Sequence, residues 1–172
     1  MIDIYPMTAD QVEADLEAFT ALIVDAVTSG ASIGFMPPLI VDEAREYWKE
    51  VIELMRDGSR VVLAATEAGV LQGSVQVGLE KRANGQHRCE AMKLFVHTRA
   101  RRRGIAKQLM AEAEGTAKSL GCTMMVMDTR KDGEADLMCQ SLGYASYGEV
   151  PGYARSGDGE LHTTVFYYRK LG

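Results

Sequence analysis

Between residues 88 and 127 the hydrophobic period changes twice, and no other stretch constrains the fold as much. Arg88–His97 alternates as a strand. Ile105, Leu109, Met110, Ala113, Ala117 and Leu120 then recur at helical spacing, and Cys122–Met127 is a nearly continuous apolar run. The pattern predicts a strand, a helix closed by Gly121, and a second strand buried on both faces. At the first change stands Arg101-Arg102-Arg103-Gly104-Ile105-Ala106. A helix start presents unpaired backbone N–H groups and about half a positive charge, so it accepts phosphate readily. Gly104 and the small Ala106 let a ligand approach the backbone, and the arginines add charge for further phosphates. Taken alone, the turn reads either as a diphosphate site or as a solvated basic helix start.

The flanking segments supply the remaining elements. Ile2–Met7 reads as a strand. Thr8 and Gln11 have capping-box spacing for one long helix carrying Val12, Leu16, Phe19, Leu22, Ile23, Ala26 and Val27. Gly30 to Pro38, with its glycines and prolines, cannot continue that helix, and a second one spans Val41–Arg56. Arg60–Thr66 and Val70–Leu79 form a hairpin through Glu67-Ala68-Gly69, and Asn84-Gly85 turns into Arg88–His97. A short helix over Glu134–Leu142 and two strands around a glycine-rich loop complete the order βααβββαβαββ. This predicts a single α+β domain over residues 1–172, a mixed sheet with helices on both faces.

Composition removes several function classes. A net charge of −5 repels polyanions, and the one basic cluster, Arg99 to Arg103, is too short to track a duplex. Nucleic acid is therefore not an expected partner. Cys89, Cys122 and Cys139 are far apart, and His87, His97 and His162 do not cluster, so no metal is expected and the thiols read as reduced. No apolar run approaches the roughly 20 residues that cross a bilayer. The N-terminus lacks a basic leader before an apolar stretch. A cytoplasmic protein with no membrane partner is the expectation, either monomeric or homodimeric. The ten methionines read as core filling.

The pattern R-x-x-G-x-A, following Leu94-Phe95-Val96 and preceding the helix Lys107–Leu120, resembles the acetyl-coenzyme A motif of the GNAT acetyltransferase family. A Walker loop needs Gly-Lys-Ser/Thr and a dinucleotide fold needs three glycines, and neither is present. The resemblance implies a GNAT fold with a splayed central sheet and acetyl-CoA as cosubstrate. It further implies that the pantetheine arm pairs with the backbone of Leu94, Phe95 and Val96. The pyrophosphate would rest on the N–H groups of Arg102, Arg103, Gly104, Ile105 and Ala106, with Arg101 and Lys107 bounding the segment. Gly30–Met36, Pro151-Gly152-Tyr153, Asp158–His162 and the closing Leu171-Gly172 are similar to segments of that family's tabtoxin-resistance branch. That likeness implies a small amino-acid-like amine as acceptor, in the manner of a toxin or antibiotic.

Amide formation from a thioester needs a neutral amine, a proton acceptor, an oxyanion stabiliser and a proton for the thiolate. Glu90 is the first candidate base. Alternation places Glu90, Met92, Leu94 and Val96 on one face, where a desolvated carboxylate has a raised pKa. The alternatives are an Arg88–Glu90 ion pair at a strand start and a plain surface position. Asp128 is the second candidate, expected to end the strand Cys122–Met127 and point into the cleft. It reads equally as a residue that turns the chain or caps the next helix. The family resemblance favours both carboxylates. Cys139 falls where many family members carry a tyrosine that protonates the thiolate, and Asp132 falls where many carry asparagine. Cys139 is then either a proton donor or a buried structural thiol.

For the acceptor pocket the candidates are Ser32 and Phe35 in the loop between the first helices, and Tyr153 and His162 beside the Ser156–Gly159 turn. Plain packing is the other reading for Phe35, and an ordinary strand position for His162. Four functions fit: acetylation of a small-molecule amine, acetylation of a protein N-terminus or lysine, non-catalytic coenzyme A sensing, and nucleotide binding without acetyl transfer.

Overall fold

The computed structural model describes all residues 1–172. Strands β1 (Ile2–Met7), β2 (Arg60–Glu67), β3 (Val70–Leu79), β4 (Arg88–Val96), β5 (Met124–Arg130), β6 (Ala145–Arg155) and β7 (Leu161–Lys170) form one sheet, in the order β1-β2-β3-β4-β5-β7-β6. Only the central β4–β5 pair is parallel. The helices are α1 (Ala9–Ala14), α2 (Leu16–Thr28), α3 (Val41–Arg56), α4 (Ile105–Ser119) and α5 (Glu134–Ser141). The mixed α+β architecture agrees with the sequence pattern.

Two elements differ from expectation. The first long helix divides at Asp15, whose φ and ψ of −99° and 19° are not helical. The Thr8–Gln11 capping box is present at its start, at 3.2 and 2.8 Å. The break leaves Val12 of α1 and Phe19, Leu22, Ile23, Ala26 and Val27 of α2 buried in one cluster. Strand β5 starts at Met124 instead of Cys122 and continues through Asp128 to Arg130. It is buried on one face only: Met125 and Met127 are covered, Met124 and Val126 half-covered, and Asp128 exposed.

That asymmetry follows from how the helices are laid. On one face α4 packs Ile105, Leu109, Met110 and Ala113 against Leu63, Val75, Val77, Ala91 and Met125. On the other, α1, α2 and α3 enclose Val12, Phe19, Ile23 and Trp48 with Val62, Ala64 and Phe95. This second layer packs on β2, β3 and β4, and leaves the same face of β5, β7 and β6 largely uncovered. Edge strand β6 is exposed at nearly every residue.

Trp48 is fully buried, its ring centroid 4.6 Å from that of Phe19. Trp48→Ala is expected to lower unfolding free energy by about 3–5 kcal/mol, read as a drop in urea midpoint. Trp48→Phe should cost far less, because it also removes an indole N–H that is buried without an acceptor.

Candidate functional site

The site begins where the sheet comes apart. β4 and β5 pair only from Arg88–Glu90 to Met124–Val126, although β4 continues to Val96 and β5 to Arg130. Within the diverging part, Ser74 is opposite Phe95 and Gln76 is opposite Met92, so Lys93 and Leu94 together face Val75. This is a β-bulge, with Lys93 at φ 53°. One extra residue reverses the parity of the strand. Cys89, Ala91, Leu94 and Val96 therefore pack on the α4 side, while Phe95 joins the helical core opposite, on the face that carries Glu90 and Met92. The expected alternation of Glu90, Met92, Leu94 and Val96 is corrected accordingly.

Beyond Val96, a single 3₁₀ turn (Thr98–Ala100) leads into the glycine turn. Arg102 and Gly104 take left-handed conformations, with φ of 62° and 79°. The first backbone bond of α4 runs from Gln108 N–H to the Gly104 carbonyl at 3.2 Å. The N–H groups of Arg102, Arg103, Gly104, Ile105, Ala106 and Lys107 donate to no acceptor within the protein. Such an unbroken row of donors at a 15-residue helix makes an anion cradle. The arginine side chains around it are mostly engaged. Arg101 Nε donates to the Val96 carbonyl at 3.1 Å and its guanidinium also bonds Ser29, which props the turn against β4 and α2. Arg103 clamps Glu67 at 2.6 and 3.0 Å. Arg102 meets Glu134 at 3.2 Å on the surface, and Lys107 is exposed.

Glu90 lies opposite Val126, and Asp128 stands two residues further along β5 on the same face. Glu90 forms no ion pair; Arg88 instead bonds Glu80 at 2.9 Å, which removes the Arg88–Glu90 alternative. Burial pushes the Glu90 carboxyl above its ordinary range and the Asp128 charge pushes it further, against the pull of Arg60 and Lys93. The surrounding protein likewise raises Asp128, although one side of that carboxylate is open to water, while Lys93 opposes the rise. Two carboxyls on one floor, both shifted upward, hold a proton more readily than free carboxylates do.

Lys93, Tyr47 and Arg60 also belong to this constellation, and sequence reading did not single them out as functional. The Lys93 ammonium donates to the Ile33 carbonyl and sits 5.2 Å from the Phe35 ring centroid and 5.8 Å from that of Tyr47. Burial, and then the Arg60 charge, lower its pKa. The single charged residue between Glu90 and Val96 was the only hint in the sequence.

The loop holding Ser32 and Phe35 thus meets Lys93, whose charge acts on both carboxylates. Ser32 itself lines a cavity of about 240 Å³ with Gly34, Pro37, Ser156 and Gly157. The Tyr153 ring meets Phe166 at 5.2 Å, and Phe166 is the register partner of Asp128. His162 lies four residues along β7 from Phe166 and is held by Asp158 at 3.2 Å, on the rim. Cys139 is fully buried, its sulfur 3.5 Å from that of Met127, and burial pushes its thiol up to about 12. A thiol so shifted is a poor proton donor to a thiolate and is a core residue here. No group of three or more His, Cys, Asp and Glu side chains converges to hold a metal. No helix is long and apolar enough to cross a membrane.

A model of the acetyltransferase (GNAT) family matches residues 29–147 of the chain. Solved structures that share the fold include the following three. The ribosomal-protein-alanine N-acetyltransferase of Brucella melitensis superposes with a TM-score of 0.79 at 24% identity, covering 98% of this chain and 99% of its own. The Salmonella typhimurium protein yncA, solved with its cofactor acetyl-CoA, has a TM-score of 0.79 at 20% identity, with 100% and 95% covered. A protein provisionally assigned as a phosphinothricin N-acetyltransferase has a TM-score of 0.80 at 19% identity, with 100% and 99% covered.

Proposed function

Because the chain belongs to the GNAT acetyltransferase family, whose acyl donor is acetyl-CoA, we propose that it acetylates the primary amine of a small amino-acid-like molecule by direct attack within a ternary complex. The observation that carries this reading is the row of free N–H groups from Arg102 to Lys107, which follows the unpaired end of β4, the strand that carries Glu90 where it still pairs with β5. The N–H row fits the pyrophosphate, with Arg102 and Lys107 adding charge at its edge and Arg101 and Arg103 holding the turn in shape. The edge of β4 at Leu94, Phe95 and Val96, which no longer pairs with β5, fits the pantetheine arm.

Acetyl-CoA supplies an acetyl thioester to this site. Glu90 accepts the proton of the acceptor amine, directly or through water. Asp128, on the same face, keeps the Glu90 pKa high by its charge and holds the ammonium form as it enters. Arg60 and Lys93 limit that rise by their charge. Phe35 and Ser32 from the α2–α3 loop, and Tyr153 and His162 from the β6–β7 hairpin, border the acceptor. Water, or the positively charged nitrogen of the tetrahedral adduct, protonates the leaving thiolate, since Cys139 is sealed in the core.

The likeness to a protein assigned to phosphinothricin acetylation, together with the tabtoxin-resistance segments, supports a toxin or antibiotic related to tabtoxinine-β-lactam as the acceptor. The Brucella neighbour supports a protein N-terminus as the second reading. Thiol release from acetyl-CoA, measured over amino acids, simple amines and N-terminal peptides, separates the two. Turnover of peptides alone would overturn the small-molecule reading, and coenzyme binding without release on any amine would overturn the enzyme. Asp128→Asn is expected to slow release about 10-fold or more without loss of coenzyme affinity. Unaltered kinetics would remove Asp128 from the site.

A further inference from the structure

Across the sheet, Arg60 of β2, Gly78 of β3, Glu90 of β4 and Val126 of β5 lie in one row. Gly78 has no side chain to separate Arg60 from β4. A Cβ there would stand 2.9 Å from Met92 Cε and 3.7 Å from Arg60 Nε, so the arginine lies across the glycine. Arg60, Gly78, Glu90, Met92 and Val126 line a cavity of about 410 Å³. Its other cations are neutralised by carboxylates: Arg88 by Glu80 at 2.9 Å, and Lys81 by Asp57 at 2.7 Å.

Arg60 stands apart from them. Its Nη1 donates to the neutral Gln76 Oε1 at 2.6 Å, and Gln76 in turn donates to the Tyr47 hydroxyl at 2.9 Å. Its Nε is buried without an acceptor, and its Nη2 has no acceptor within the protein. A guanidinium fixed at one nitrogen and open at another is set up to bind a planar oxyanion. Glu90, two strands away and about 10 Å distant at Cα by strand spacing, is the matching unpaired anion. Lys93, the other nearby cation, is already committed to Ile33 and two aromatic rings.

We infer that Arg60 binds the carboxylate of a zwitterionic acceptor whose amine is presented to Glu90, so that the cavity selects amino acids over amines lacking the carboxylate. This rests on the acetyl-transfer reading of the same site. Gln76 and Tyr47 orient the guanidinium; the α3 side of the cavity, with Leu54, accommodates the acceptor's side chain.

The test compares thiol release with a set of L-amino acids and with their C-terminal amides, for the parent protein, Arg60→Gln and Arg60→Lys. The parent is expected to favour acids by about 100-fold in kcat/KM, because an amide leaves the guanidinium without its anion. Arg60→Gln should bring that ratio to within about 3-fold through a higher KM for the acids, and Arg60→Lys should keep part of it. Equal use of acids and amides by the parent, or an unchanged ratio in Arg60→Gln, would overturn the assignment and leave acetyl transfer standing. No release with either set, from protein that binds acetyl-CoA, would overturn the amino-acid-like acceptor and the assignment with it, and release on no amine or peptide at all would overturn acetyl transfer itself. Thermal melts of both variants confirm that the comparison is made on folded protein.

Discussion

Replacing Glu90 by glutamine is expected to lower kcat roughly 100- to 10,000-fold, the range for removing a positioned general base. Affinity for acetyl-CoA, measured by calorimetry, should stay within about 2-fold of the parent, because Glu90 lies off the Arg102–Lys107 donor row. The pH profile gives the same residue a second test. A base must be ionised to act, and burial together with Asp128 raises the Glu90 pKa, so activity should fall with acidity at a pH above the ordinary carboxylate range. The sign for the neighbours follows from the charges. Lys93→Met removes a cation that stabilises ionised Glu90 and moves the acid limb up. Asp128→Asn removes an anion that destabilises it and moves the limb down. Profiles that superpose for all three proteins would show that Glu90 is not the titrating base.

Gly104→Trp should abolish coenzyme binding, with affinity reduced at least about 100-fold. The left-handed backbone at Gly104 costs an L-residue about 1–2 kcal/mol. That is survivable, and the fold should persist, because the nearest atom to a Cβ there is Gln108 Nε2 at 3.9 Å. The indole then has open space on the side of the N–H row, where it screens the donors from a pyrophosphate. Circular dichroism should show an intact fold and calorimetry no binding. Gly115→Ala in the same helix is the control: nothing lies within 4 Å of its added methyl, so it should leave binding intact and raise stability by roughly 0.5–1 kcal/mol. Tight binding by Gly104→Trp would dislodge the glycine turn from the donor site.

The donor half of the site was legible because it is local. Strand, glycine turn and helix follow one another in the chain, so period and composition alone placed Arg101–Ala106 correctly at a helix start. The acceptor half is made by contacts distant in sequence, and there the reading met its limits. Glu90 stands out in the sequence as a charge in an apolar strand, but its face-mates do not, since the bulge at Lys93–Leu94 carries no glycine to announce it. Asp128 was expected at a strand end, whereas it projects from mid-strand; the cleft arises from strand divergence, which periodicity does not encode. Arg60 looked like any basic residue opening a strand. Only the register that aligns it with Gly78 and Glu90 shows why its missing partner matters.

The uncovered half of the sheet has an evolutionary corollary. The donor cradle is built into β4 and α4, whose side chains are woven into the main core, so almost any change there also taxes folding. Strand β6, with Tyr153, is exposed along its length and supports little of that core. Surface substitutions of this kind usually shift stability by less than about 0.5 kcal/mol. Strand β6 can therefore drift almost freely, retuning which amine is admitted while the machinery that activates it stays constant. One scaffold can in this way hold its chemistry fixed and diversify its clientele.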